Sequence, residues 1–198
     1  GMAISPNKDG DIDIYNINSG GIDNVPETPA GNEITYIRDI INQTQEYGKN
    51  LAVTYEKGST LFSKKWDEAS SDNKLIGQLK VTAKLIAGGS KTRIFVHSLG
   101  GFDTHANQIQ TEGSVEGNHY SLLKMLSDSI EAFQDEMKLQ NMEDSVVGMT
   151  FSEFGRRIIS NASHGTDHGS AAPLFVFGSR VIPAIQGENP NIPSSVTV

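Results

Sequence analysis

Three short apolar runs, separated by amphipathic stretches, most constrain what this chain can fold into. Residues 93–99 (Arg93-Ile94-Phe95-Val96-His97-Ser98-Leu99), 145–151 and 174–177 are each too short for an ordinary helix and rich in apolar side chains. Between the first two, Leu122, Leu126, Ile130, Phe133 and Met137 line one face of a helix expected over residues 118–139, with charges opposite. Upstream, Ile34, Ile37, Ile41 and Thr44 share a helical face from Glu33 onward. Leu75, Leu79, Thr82 and Ile86 mark a second helix over residues 67–87, stopped by Gly88-Gly89. Near-continuous apolar strands alternating with helices are the pattern of an α/β fold with parallel pairing. The expectation is a single α/β domain over residues 32–198, with a mainly parallel sheet flanked by helices. In such sheets ligands sit beyond the carboxyl ends of the strands.

Residues 1–31 show no periodicity. Gly20-Gly21, Pro26, Pro29 and scattered Asp and Asn predict an irregular N-terminal segment. Asn7-Lys8-Asp9-Gly10-Asp11-Ile12-Asp13 is faintly calcium-loop-like, but its glycine is misplaced for an EF-hand and no glutamate closes it. A solvated acidic turn is the better reading.

Composition then excludes several function classes. The 198 residues suffice for one domain with a real core. With 24 acidic against 16 basic residues the formal net charge is -8, which argues against nucleic acid or an anionic membrane as main partner. There is no cysteine, so disulfides, thiolate metal sites and Cys nucleophiles are absent. No apolar stretch approaches the roughly 18 residues that would span a bilayer, and no basic-then-apolar leader opens the chain. Gly1-Met2 reads as the remnant of a cleavage site, so a missing leader is weak evidence about export.

All five histidines, His97, His105, His119, His164 and His168, lie between positions 97 and 168. Three polar clusters fall in that part of the chain. In Gly100-Gly101-Phe102-Asp103-Thr104-His105 the Asp and His are two apart, so in an extended segment both point to one side and could share an ion. A turn-capping Asp beside a surface His fits the same residues. In Ser152-Glu153-Phe154-Gly155-Arg156-Arg157 a carboxylate and two guanidinium groups emerge at a strand end. Arg156 suits bidentate binding of a tetrahedral oxyanion, or equally a Glu–Arg brace within the loop; for Arg157 the brace is preferred. In Asn161-Ala162-Ser163-His164-Gly165-Thr166-Asp167-His168-Gly169, oxygen and imidazole donors adjoin between glycines. Zinc, manganese and related ions accept that mixture. His97, inside an apolar run, reads as a core residue, and His119 as a residue of the first turn of the long helix.

At these residues the chain resembles a family of uncharacterised bacterial proteins, usually exported by the twin-arginine route and placed in the alkaline phosphatase and sulfatase superfamily. The resemblance runs over residues 79–190 and rests on Gly-Gly-Phe-Asp-Thr-His at 100–105, Ser-Glu-Phe-Gly-Arg-Arg at 152–157 and Gly-Thr-Asp-His-Gly at 165–169. It implies an alkaline-phosphatase-like core and a periplasmic or envelope location. It also implies in-line displacement at phosphorus or sulfur, with Asp167 and His168 as metal ligands and Asp103 with His105 as the complementary set. Relatives carry a leader and a first strand bearing the nucleophile; neither is recognisable here, so the core is expected to be incomplete at both ends.

The leading expectation is a metal-dependent, hydrolase-like domain acting on a small anionic phosphate or sulfate ester. Asp103, His105, Asp167 and His168 hold zinc or manganese, with His164 and Glu153 as secondary ligands or supporting groups. Arg156 binds the anion. A second is a non-catalytic envelope binding or scaffolding protein with a vestigial site. A third, a serine hydrolase using Ser152 or Ser170, lacks the Gly-x-Ser-x-Gly elbow.

Overall fold

A computed structural model describes residues 27–58, 60–188 and 191. The acidic turn at 7–13 and most of the expected irregular segment lie outside the described residues. The chain divides into two compact units, one comprising Gly1–Leu61 with Ile76–His97, the other Phe62–Leu75 with Ser98–Val198.

In the first unit, α1 (Pro29–Lys57) starts at Thr28, whose hydroxyl accepts from the Gly31 N–H at 3.1 Å, with Pro29 at the first helical position. Both are favoured there because the first turn's N–H groups have no helical partner. The short α2 (Lys65–Glu68) belongs to the second unit, and α3 (Lys74–Ala87) follows. One helix was expected over 67–87. The chain instead breaks at residues 69–73, where the Asn73 side chain accepts from the Leu75 N–H at 3.2 Å and so starts α3 afresh. The predicted stop at Gly88-Gly89 is present. Gly89 is left-handed (φ 81°), its N–H bonds to the Ile86 carbonyl, and the Ser90 N–H bonds to that of Leu85. Leu51 and Tyr55 of α1 cluster with Val81 and Leu85 of α3, and Phe95 packs on them.

The second unit is organised by α4 (Asn118–Leu139), which spans the predicted range. Its innermost side chains include Ala132, Phe133 and Met137, and also the fully buried Glu136. That carboxylate accepts from the backbone N–H groups of Phe62 and Ser63, from Trp66 Nε1 at 2.8 Å and from Gln140 Nε2 at 2.6 Å. A buried anion persists only when its lone pairs are used this fully. Three of these donors fix α2 and the residues just before it against α4, and Gln140 closes the site from the end of α4 itself. Asn73 adds a second tie through Met125 and Ser129.

The expected parallel sheet is not formed, nor is the alkaline-phosphatase-like core built on it. The second unit instead holds two small antiparallel pairs: β1 (Gly148–Met149) with β4 (Val176–Phe177), and β2 (Gly155–Ser160) with β3 (Thr166–Gly169). The apolar runs at 145–151 and 174–177 do meet, but in opposite directions. The polar stretch between them folds as the β2–β3 hairpin rather than as the helical crossover that parallel neighbours require. Residues 93–99 are extended but belong to no strand pair among the described residues. Phe95 and His97 face inward there, while Ile94 (80% exposed) and Val96 (75%) face out. Apolar runs specify burial, not strand direction. No helix is long and apolar enough to cross a membrane among the described residues.

Two outcomes follow from this architecture. Replacing Glu136 with Ala strands at least three buried or half-buried N–H groups and is expected to cost about 3 kcal/mol or more; Glu136→Gln, which keeps an acceptor oxygen, costs less. Urea midpoints measure both, and an unchanged Glu136→Ala midpoint contradicts the role. His97, which shares a hydrogen bond with Thr82 Oγ1 at 3.2 Å, is held by burial below the ordinary imidazole pKa. Above about pH 6.5 neither folded nor unfolded His97 carries charge. As pH falls through that value the unfolded chain takes the proton while the folded one resists, so stability declines until the lowered folded value is reached. Melting curves should therefore show wild type losing more stability than His97→Gln between about pH 7.5 and about pH 5; parallel curves would remove His97 as the cause.

Candidate metal centre

The loop after Gly101, which adopts φ 98°, is tightened by hydrogen bonds from the Thr104 N–H to the Phe102 carbonyl and from the His105 N–H to that of Asp103. These short-range bonds turn Asp103 and His105 outward together while Thr104 is buried. The β2–β3 turn then docks beside the loop. Asn107 donates to the Ser163 carbonyl, Ile109 to that of His164, and Thr166 to that of Thr104. Gly165 sits against His105 so closely that a Cβ would fall 2.3 Å from its carbonyl carbon and oxygen. A side chain there would push the two segments apart.

Arg156 on β2 fastens the same junction from inside. Its side chain is 19% exposed, and its two terminal nitrogens donate to the carbonyls of Phe102 and Thr166. The guanidinium lies over the Phe154 ring, 5.0 Å from its centroid, and 3.6 Å from Asp103 Oδ1. Gln108 provides a second clamp, accepting from the hydroxyls of Thr104 at 3.1 Å and Thr166 at 2.8 Å. Arg156 therefore gives two of its five N–H donors to backbone carbonyls.

What this framework presents is one carboxylate oxygen between two imidazoles. Asp103 Oδ1 lies 2.7 Å from His168 Nε2 and 3.1 Å from His105 Nε2. The His168 ring is stacked on Phe154, with centroids 4.2 Å apart and planes 12° from parallel, and is 4.8 Å from the His105 ring. The hydrogen bond from His168, with the charges of His105, His168 and Arg156, holds the Asp103 carboxyl below the usual carboxylate range. Asp167 stands on the other side of His105, its Oδ1 3.3 Å from Nδ1. Asn161 donates to that oxygen at 3.4 Å, and Arg157 Nη1 lies 3.7 Å from the other. The Asn161 hydrogen bond, then His105 and Arg157, lower the Asp167 pKa.

Of the residues selected from sequence, Asp103, His105 and His168 thus offer three ligand atoms within 4.8 Å of one another. Donors about 2.1 Å from a single ion lie no more than about 4.2 Å apart. That is the limit for donors on opposite sides of the ion; tetrahedral donors stand about 3.4 Å apart, so sharing one needs the side chains to rearrange, and all three are exposed enough to shift. A carboxylate with two imidazoles is a set that zinc or manganese accepts, so the residues fit the ion. Asp167 reaches this group only through His105. Glu153 and His164 are exposed and outside it; His164 serves the turn by its backbone, at φ 55°. His119, in the first turn of α4, meets the edge of Phe102, and its buried Nδ1 has no hydrogen-bond partner. Burial, and secondarily Arg156, lower its pKa. Asn161, Gln108 and Phe154 were not singled out from sequence. Nothing in an Asn, a Gln or a Phe near a turn identifies it as a clamp until the opposing segment is in place.

The chain belongs to the family described as "Protein of unknown function (DUF1501)", which matches residues 21–197. No curated protein and no solved structure matches it.

Arg156 is the residue on which the junction is most exposed to test. Arg156→Met removes both bridging donors and leaves two carbonyls without them, for an expected loss of about 2 kcal/mol or more. Arg156→Lys recovers only part, since a single ammonium does not reproduce the planar fork. Chemical denaturation measures the loss, and equal midpoints for wild type and Arg156→Met would show that the bridge carries no stability.

Proposed function

We propose that this member of the DUF1501 family binds one divalent transition-metal ion through Asp103, His105 and His168, in a hydrolase-like site for small phosphate or sulfate esters. The observation that carries the reading is the single oxygen Asp103 Oδ1 facing the Nε2 atoms of two imidazoles. Three protein donors leave further positions open for an exogenous ligand, as in catalytic rather than structural sites. When bound, such an ion supplies Lewis-acid stabilisation of negative charge on the transferred group. The chain's own part is to aim the donors. Phe154 fixes the plane of His168, and Asn161 and Asp167 face His105 from behind. Arg156 lends positive charge beside Asp103 without leaving its carbonyl partners. Placement in the alkaline phosphatase and sulfatase superfamily, and export to the periplasm or envelope, are parts of the same proposal that rest on the three motifs alone.

A second reading, a binding or scaffolding protein with a vestigial site, is favoured by one feature. The hydroxyls of Thr104 and Thr166 both donate to Gln108 Oε1 and so are not presented as nucleophiles. Metal content and turnover separate the two. Protein loaded with zinc or manganese and desalted is expected to retain about one equivalent, which Asp103→Ala and His168→Ala lose. Aryl phosphate or aryl sulfate hydrolysis should disappear with chelator and return with metal. Retained metal without turnover would favour the binding reading, and protein that stays metal-free would end the metal assignment.

A further inference from the structure

We infer that Asp167 is a positioning residue that orients His105 through its Nδ1, with Asn161 and Arg157 as its supports, rather than a ligand of the ion. This rests on the proposed metal site and specifies how its affinity is set.

The His105 ring stands between two carboxylates. Nε2 faces Asp103 at 3.1 Å and Nδ1 faces Asp167 at 3.3 Å. An imidazole that gives one nitrogen to a cation keeps its proton on the other, and a carboxylate accepting that N–H fixes both tautomer and ring orientation. Asp167 occupies that place. Its Oδ1 lies across the ring from the Asp103 oxygen, and it is not among the three residues whose donor atoms converge.

The surroundings of Asp167 support the same assignment. Asn161 Nδ2 donates at once to the His105 carbonyl, at 2.8 Å, and to Asp167 Oδ1, at 3.4 Å. One amide group therefore holds both the backbone that carries the imidazole and the carboxylate that addresses its ring. Asn161 is itself fixed, because its Oδ1 accepts the N–H groups of Ser163 and Gly165. Arg157 approaches the opposite oxygen, Oδ2, at 3.7 Å, and leaves Oδ1 to His105. The guanidinium is more than half exposed, so it directs the carboxylate more than it stabilises the fold. In this arrangement the neighbours Asp167 and His168 have different tasks: His168 offers a donor atom to the ion, and Asp167 prepares the donor on another loop.

The test is metal binding by the full chain, with affinity and ligand set read separately. Zinc affinity comes from competition with a chromophoric chelator, and the ligand set from the visible d–d spectrum of the cobalt(II) form. Asp167→Ala is expected to bind zinc about 10- to 100-fold more weakly while its cobalt spectrum keeps the wild-type band positions. Asp167→Asn, which retains an acceptor oxygen, should recover much of that affinity, and Arg157→Gln should show a smaller loss in the same direction. Asp103→Ala serves as the ligand-loss control and should alter the spectrum outright. Unchanged affinity in Asp167→Ala would overturn the inference. So would a cobalt spectrum altered in the manner of Asp103→Ala, which would make Asp167 a ligand. Wild-type protein that binds neither ion would remove the metal reading itself, and this inference with it.

Discussion

The candidate centre depends on one guanidinium. Arg156 reaches from β2 to the Phe102 carbonyl on one side and the Thr166 carbonyl on the other. Those two carbonyls belong to the residues immediately before Asp103 and Asp167. A planar group with donors at fixed angles converts two separate loops into one rigid junction, which a flexible ammonium does not do. The donor atoms that converge at Asp103 are exposed and joined by few interactions of their own. Their arrangement is inherited from the Arg156 bridge, from Gln108 linking the two threonines, and from the close approach allowed at Gly165.

A different solution operates at the other end of α4. There a buried carboxylate, Glu136, collects N–H donors from Phe62, Ser63, Trp66 and Gln140. In both places a charged group is stabilised by hydrogen bonds to neutral polar partners, several of them in the main chain. The consequence is shared: removing the charge leaves several groups unsatisfied together, so each acts as a unit rather than as a sum of pairs. Asp103 and Asp167 are unlike Glu136 in being exposed.

Much of the local structure was legible in the sequence. The apolar periodicity from Leu122 to Met137 located α4, and Gly88-Gly89 located the end of α3, because helix faces and left-handed stops are set by neighbouring residues. The break before α3 was not legible. Residues 67–87 keep a helical stripe, and only the Asn73 side chain turning onto the Leu75 N–H restarts the helix. Strand direction was misread for a related reason. The runs ending at Phe151 and Phe177 are apolar in either orientation, and their pairing was decided by the hairpin folded between them.

The same division holds for the site. Residue types and spacing marked Asp103, His105, His164, Asp167 and His168 as possible donors, and the family resemblance joined them into one ligand set. Only the tertiary structure decided their neighbours. It turned Arg156 inward to two carbonyls, set Asp167 behind His105 rather than beside Asp103, and left Glu153 and His164 outside the group. The physical reason is that a side chain's identity fixes which bonds it can make. Which of them it does make depends on partners brought together across 54 residues of chain, as with Phe102 and Arg156, or 62, as with His105 and Asp167.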